Sequence, residues 1–273
     1  MVILKNTKIK NSIMRYKSLL SVVFCVLIFL SALPAKPANT FQWRVGEELT
    51  YSVHWSFFRL GTLKLEVKDS LTYNGHSVYH IRLHIDSNPA LFFVDMHSKV
   101  DSYIDDDMQL HRFLARENID NVNYLTEYRL DYEQNKLIIN MTDLEDTTHT
   151  IYEEKPLTDE IYDGSGLIYL ARSRINNKGK LNVTALANGE LSDVHLNFTD
   201  RTDLLKIDSL PSKVETYYLD GSFDNVGLAG LTGPFKGWFA KDPQAPPLKA
   251  KLKVFIGSVS IELENYKKWS PDV

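Results

Sequence analysis

The sequence predicts an all-β fold: one large, curved antiparallel sheet forming a roll or half-open barrel, with one short helix. Three observations predict it. Apolar and polar residues alternate with a period of two along most of the chain, which puts successive side chains on opposite faces of a strand. Asn-Gly pairs separate alternating segments, as at tight hairpin turns. Only one stretch combines helix-compatible residues with a capping residue in front of it.

In chain order, the N-terminus stands apart. Lys5, Lys8, Lys10, Arg15 and Lys17 form a basic start without an acid, and residues 19–33 are apolar but for Ser21, Cys25 and Ser31. Pro34-Ala35 closes the run. Basic, apolar and small-residue regions in that order make a secretory signal peptide, predicted over residues 1–35 with cleavage after Ala35. The apolar run is shorter than the ~20 residues needed to span a bilayer as an anchor. Met14, with Arg15 and Lys17, would begin an equally complete leader. Cys25 follows Phe24 in mid-run, whereas a lipoprotein needs its cysteine at the end. The mature chain, residues 36–273, then keeps no thiol for a disulfide or a metal site, and it is large enough to bury a core without one.

Charge narrows the partners. The chain has 31 Lys+Arg and 35 Asp+Glu; without the five basic residues of the leader, 26 stand against 35, a net charge of −9. No basic run survives to drive nucleic-acid binding by counterion release, and the sequence gives no polybasic grip on anionic lipid. After the leader no further apolar stretch reaches membrane length, and Asp242-Pro243-Gln244-Ala245-Pro246-Pro247 is too short to separate domains. Residues 36–273 are predicted to form a single domain.

Each strand follows from its pattern. Leu49, Tyr51, Val53 and Trp55 alternate with polar residues, as do Leu63, Leu65 and Val67, then Tyr79, Ile81, Leu83 and Ile85. Asn74-Gly75 lies between the second and third of these, and Asn188-Gly189 between strands predicted at 181–185 and 194–198. Further strands fit 123–132, 136–141, 213–219, 248–256 and 259–263. Asp163 or Ser165 can cap a helix through Arg172 that ends at Asn176-Asn177. A sheet of this size has one apolar face and must roll up or be covered, and such rolls often enclose a cavity.

These residues resemble a known family. Gly46-Glu47-Glu48-Leu49-Thr50-Tyr51-Ser52-Val53-His54-Trp55, followed by Leu60-Gly61-Thr62, is similar to the opening of the domain-of-unknown-function 3108 family. The segment from Asp163 to Arg172 resembles that family's short helix. Trp238-Phe239-Ala240-Lys241-Asp242, Pro247-Leu248, Ile256-Gly257-Ser258-Val259 and Leu263 resemble its ending. The resemblance implies an exported, β-rich protein of Gram-negative bacteria with no established activity. The ending also looks like that of the periplasmic lipoprotein carriers of the Lol system, an analogy of fold and not of function.

Several motifs could carry chemistry. His76, His80 and His84 are spaced by four, which on a helix would suit a metal. On a strand, four residues span roughly 13 Å, and with Arg82 and Asp86 they read as a solvated outer face. Asp105-Asp106-Asp107 lacks the alternating ligands and glycine of a calcium loop and reads as a turn. Asp163-Gly164-Ser165-Gly166 is half of a nucleophile elbow with Asp in place of its first glycine; helix capping accounts for it better. Arg172 and Arg174 suit the helix's negative pole or carboxylates across the sheet. Asn140-Met141-Thr142, Asn182-Val183-Thr184 and Asn197-Phe198-Thr199 match glycosylation sequons and read as strand composition.

Residues 226–239 carry four glycines with Leu228, Leu231, Phe235, Trp238 and Phe239. These glycines are expected to break any regular strand and leave an apolar loop that lids the mouth or meets a ligand or partner. The five apolar residues are the candidate contacts, with Trp55 and Phe57 as candidate cavity walls. The resulting expectation is a non-catalytic periplasmic protein, without cofactor or metal, binding a lipid or other apolar or amphipathic ligand or an envelope protein partner. The periplasm is the expected location, with secretion or peripheral association with the outer membrane as the alternatives, and no membrane span is expected after signal cleavage. The rivals are an envelope hydrolase, which needs His54, His195, Asp163 and Ser165 to converge, and an assembly scaffold that recruits a chain to a strand edge.

Overall fold

The computed structural model describes residues 41–91, 95–119, 121–148, 150–157, 159–224, 233–254 and 257–271. The leader, Leu228 and Leu231 lie outside the described residues. Fifteen strands are described: β1 Glu48–Trp55, β2 Phe58–Tyr73, β3 His76–Ser87, β4 Met96–Asp105, β5 Leu110–Ile119, β6 Val122–Asp131, β7 Lys136–Asp143, β8 Thr150–Pro156, β9 Ile161–Tyr162, β10 Gly179–Ala187, β11 Glu190–Leu205, β12 Val214–Phe223, β13 Gly233–Ala240, β14 Pro247–Lys253 and β15 Ser258–Lys267. One helix, α1 Gly164–Arg174, falls between β9 and β10.

All fifteen strands belong to one sheet, in the order β8-β7-β6-β5-β4-β3-β2-β1-β15-β14-β13-β12-β11-β10-β9. The chain meanders outward from β1 to β8, then returns from β9 to β15, which pairs back onto β1. Every pairing is antiparallel except β9 with β10. The edges, β8 and β9, are neighbours in sequence yet do not pair with each other, so the sheet curls into a roll without closing. Both predicted Asn-Gly turns take positive φ at each residue: Asn74 at 47° and Gly75 at 83°, Asn188 at 53° and Gly189 at 76°. Asparagine and glycine tolerate that region, and its twist matches the flanking strands.

The second of these turns reaches across the roll. The Gly189 N–H donates to the Tyr128 hydroxyl of β6 at 2.9 Å, and Lys155 Nζ of β8 donates to the Gly189 carbonyl at 3.2 Å. The main core fills the interior, with Leu65, Ile81, Ile104, Leu110, Tyr128, Leu137, Val194, Leu196 and Phe239 among its buried residues. A smaller cluster gathers Leu49, Tyr51, Leu248, Leu263 and Trp269 with Ile207 and Leu210.

Helix α1 packs inside the roll. Asp163 caps it, its carboxylate accepting from the Gly166 N–H at 2.7 Å, as expected from the sequence. Tyr169, Leu170, Ala171, Arg172 and Ser173 are all buried. Gly164, Leu167 and Ile168 are half-buried and Arg174 at the last turn is exposed, so a sheet wrapped around the helix covers most of its surface.

One sequence expectation is corrected. Gly233–Ala240 is a regular strand, β13, paired to both β12 and β14. Gly237 does not break it, and phenylalanine rings cover both that glycine and Gly221 of the neighbouring β12. A Cβ at Gly221, the cross-strand partner of Phe235, would lie 2.4 Å from the Phe235 ring, and one at Gly237 would lie 2.9 Å from the Phe239 ring. Ring-over-glycine packing restores the side-chain contacts a strand glycine lacks.

Candidate functional site

The interior face is sealed along most of its length and opens at one end. Cross-strand register defines the rows. Tyr51 faces Leu63 and Leu263, and Leu49 faces Leu65; of these Leu49, Leu65, Tyr51 and Leu263 are buried. Two positions beyond Val53 comes the last row, in which Phe58, Trp55, Val259, Leu252 and Phe235 are consecutive partners across β2, β1, β15, β14 and β13. The row continues through Gly221 to Leu196, a core residue, which fixes its face as the interior one. Its side chains are only half covered: Phe58 is 48% exposed and Trp55 37%. Val259, Leu252 and Phe235 are half-buried, and the Phe235 ring leans on Phe223 at 4.8 Å.

Deeper in the roll, beside the N-terminus of α1, lies a cavity with room of about 60 Å³ for water-sized occupants. Leu83, Ile85, Val100, Phe113, Met141 and Leu186 give it apolar walls. Glu117, Thr126, Tyr128, Asp163, Ser165 and Asn188 place polar groups around it. Burial pushes the Glu117 carboxyl above its usual range, with only a 3.4 Å hydrogen bond from the Ser98 hydroxyl opposing. Burial raises Asp163 as well, against hydrogen bonds from the Ser102 hydroxyl and from the Gly166 and Ser165 N–H groups. It also pushes the Tyr128 phenol up to about 12. The Ser165 hydroxyl is buried without a hydrogen-bond partner.

The predicted contacts divide. Trp55 and Phe235 fall in the half-exposed row. Phe239 points into the main core and is 5% exposed. Trp238 points to the other face, also buried, where its Nε1–H donates to Asp203 at 2.7 Å and its ring meets Tyr218 edge-on at 5.5 Å. Neither is a surface contact, because a paired strand sends alternate side chains to two faces that are both covered here. Phe57 is not a cavity wall: it sits in the β1–β2 turn, is 81% exposed, and packs on Phe58 with ring centroids 4.1 Å apart. Sequence reasoning missed Phe58, Leu252 and Val259 as site residues, and Glu117 altogether. Leu252 and Val259 lay within predicted strands, and only register shows that they stand beside Trp55.

The histidine face is less solvated than the sequence suggested. His80 is nearly covered, stacks on Tyr103, and bonds Asp101 at 2.7 Å; Arg82 donates to the same carboxylate oxygen at 2.7 Å. Burial would raise the Asp101 carboxyl, but its bonds with His80 and Arg82 outweigh that and hold it well below the usual range. The Asp105 carboxylate closes its turn, accepting from the Asp107 and Gln109 N–H groups and bonding His111. Among the described residues, no group of three or more His, Cys, Asp and Glu is placed to hold a metal ion.

The four residues an esterase-like site would need do not converge. Asp163 and Ser165 are interior, whereas His195 sits on the outer face between Asn182 and Asp224, 2.9 Å from each. His54 lies on the face of β1 opposite Trp55. Residues of the segments that carry the family resemblance instead brace the fold. Arg172 forms an ion pair with Glu47, Asp163 caps α1, and Asp242 closes a turn and accepts from the Trp269 indole at 3.0 Å. Gly61 lets β3 approach, since a Cβ there would lie 2.3 Å from the Asp86 carbonyl oxygen.

This geometry defines an open β-roll with an interior helix and an apolar mouth. The chain belongs to the family described as protein of unknown function DUF3108, whose model matches residues 50–264. Among curated proteins none matches. A β-barrel-like protein of the DUF1849 domain from Brucella abortus superimposes with a TM-score of 0.56 at 8% identity, over 83% of this chain and 98% of that one. The likeness is one of fold. A protein from Bacteroides fragilis described as exported with a YmcC-like fold (7% identity, 84% and 98% covered) gives a TM-score of 0.33. One from Parabacteroides distasonis described as a lipoprotein (11%, 84% and 98%) gives 0.32. Both values are too low to show a common fold.

Proposed function

We propose that this protein is a non-catalytic binding protein of the cell envelope that takes an apolar or amphipathic ligand at the mouth of its roll. The interior row of Phe58, Trp55, Val259, Leu252 and Phe235 carries the reading. Apolar side chains facing a roll's interior are ordinarily sealed, and a contiguous row left half exposed is surface awaiting an occupant. The open sheet supports it, since an unclosed roll can widen without breaking a ladder. An exported location rests on the leader-like sequence of residues 1–35. Among the described residues no helix is long and apolar enough to cross a membrane.

Recruitment of a partner by strand addition has less support. The available edge, β8, carries Glu153, Glu154 and Lys155 and ends in Pro156, features that discourage pairing with another chain.

The test is native mass spectrometry of protein purified without detergent, alongside titration with the fluorescent fatty acid cis-parinaric acid. A co-purifying ligand or saturable uptake is expected, with uptake weakened at least roughly tenfold by Leu252→Ser combined with Val259→Ser. A ligand-free spectrum together with no uptake would overturn the reading.

A further inference from the structure

We infer that the β1–β2 hairpin tip, with the lysines of β13 and β14 beside it, docks this protein onto an anionic lipid surface. Phe57, the most exposed large apolar residue of those described, stands in the turn, and Phe58 and Trp55 follow it back into the sheet. Ser56 holds a φ of 56° there, which makes the turn tight and its apex narrow. A convex aromatic apex suits a bilayer, which yields to a wedge, better than a protein partner, which must supply a matching pocket. Aromatic rings are at home at the boundary of headgroup and hydrocarbon.

Charge selects the kind of surface. The sequence holds no basic run, but register assembles a cluster from separate strands. Lys236 of β13 lies directly opposite Lys251 of β14, and Lys253 follows two positions closer to the mouth. Among the described residues none of the three has an ion-pair partner. Glu262 pairs with Lys249 and Glu264 with Arg59, while Asp220 of β12, opposite Lys236 on its other side, accepts from the Asn197 amide, so that Lys251 and Lys253 are the two of the three with no carboxylate as a cross-strand partner. One carboxylate, Asp220, stands beside three lysines, so the patch keeps a net positive charge. Like charges held opposite one another on a sheet are destabilising, and an anionic partner would offset that cost. The lysines occupy the outer face directly behind Leu252, so cations flank the apolar tip, the arrangement that adds electrostatic attraction to insertion. This docking does not depend on what the mouth binds.

Co-sedimentation of the processed protein with vesicles of phosphatidylcholine alone, and of phosphatidylcholine mixed with phosphatidylglycerol, tests the inference. The protein should pellet with the mixed vesicles and remain in solution with the neutral ones. Phe57→Ser should lower partitioning roughly tenfold, and Lys251→Glu with Lys253→Glu should lower it by at least as much. Both changes lie on exposed positions, and circular dichroism would verify that the sheet persists. Uptake of cis-parinaric acid should survive in Phe57→Ser, which separates docking from ligand binding. Equal pelleting with both vesicle types, no pelleting with either, or wild-type pelleting of both variants would each overturn it.

Discussion

Arg172 and Glu47 form a fully buried bidentate ion pair, Nη1 to Oε1 at 2.6 Å and Nη2 to Oε2 at 2.9 Å. It ties the last turn of α1 to the residue that precedes β1. The guanidinium also donates from Nε to the Gln244 carbonyl and lies over the rings of Phe41 and Tyr169 at 4.9 and 5.0 Å. Burial opposes its charge, but Glu47 outweighs burial and holds the guanidinium firmly protonated. Removing one partner alone strands a charge in the core. Arg172→Met or Glu47→Gln should therefore each cost about 3–5 kcal/mol in urea unfolding. The double variant Glu47→Leu/Arg172→Met should recover most of that loss.

Glu117 should make stability fall as pH rises. Its folded pKa lies above the ordinary carboxylate value because burial disfavours the charged form. The folded state therefore holds the proton more tightly, and stability declines as pH climbs from the ordinary value through the raised one. Glu117→Gln should accordingly raise the urea midpoint at neutral pH and leave it unchanged below pH ~4. A variant that destabilises equally at both pH values would contradict the assignment.

Gly61→Ala should destabilise by about 1–3 kcal/mol, an overpacking cost. The added methyl group meets the Asp86 carbonyl oxygen and the Ser87 Cα, both backbone atoms that can move only by shifting the β2–β3 ladder. Thermal unfolding followed by far-ultraviolet circular dichroism as a two-state transition would read it.

Trp238 provides a control for the mouth. Trp238→Phe removes the indole bond to Asp203 and should cost about 1 kcal/mol of stability. It should leave uptake of cis-parinaric acid unchanged because the ring faces away from the apolar row, and vesicle binding unchanged because the ring, though on the face of Lys236, is buried against Tyr218.

Much of this fold was legible in the residues. Alternation placed β1, β3, β6, β7 and β10 within a few residues of their bounds, and the two Asn-Gly pairs marked real turns. Asp163 announced the helix cap. The strands β4, β5 and β8 were not assigned from alternation, and β13 was missed because its glycines read as breakers. The ring that covers Gly237 stands two positions away, and Phe235 over Gly221 of β12 is invisible until the strands are paired.

The sequence by itself determined an all-β chain, one short helix at residues 163–172 and the apolar face that makes the sheet curl, because those depend on side-chain period and local turn chemistry. Tertiary structure alone decided which apolar residues would stay uncovered. Trp238 and Trp55 look equally available in the sequence, yet one is buried and the other borders the mouth. Exposure is set by the strand that lies alongside, and Lys236 meets Lys251, or Val259 meets Trp55, only when register fixes which residues become neighbours.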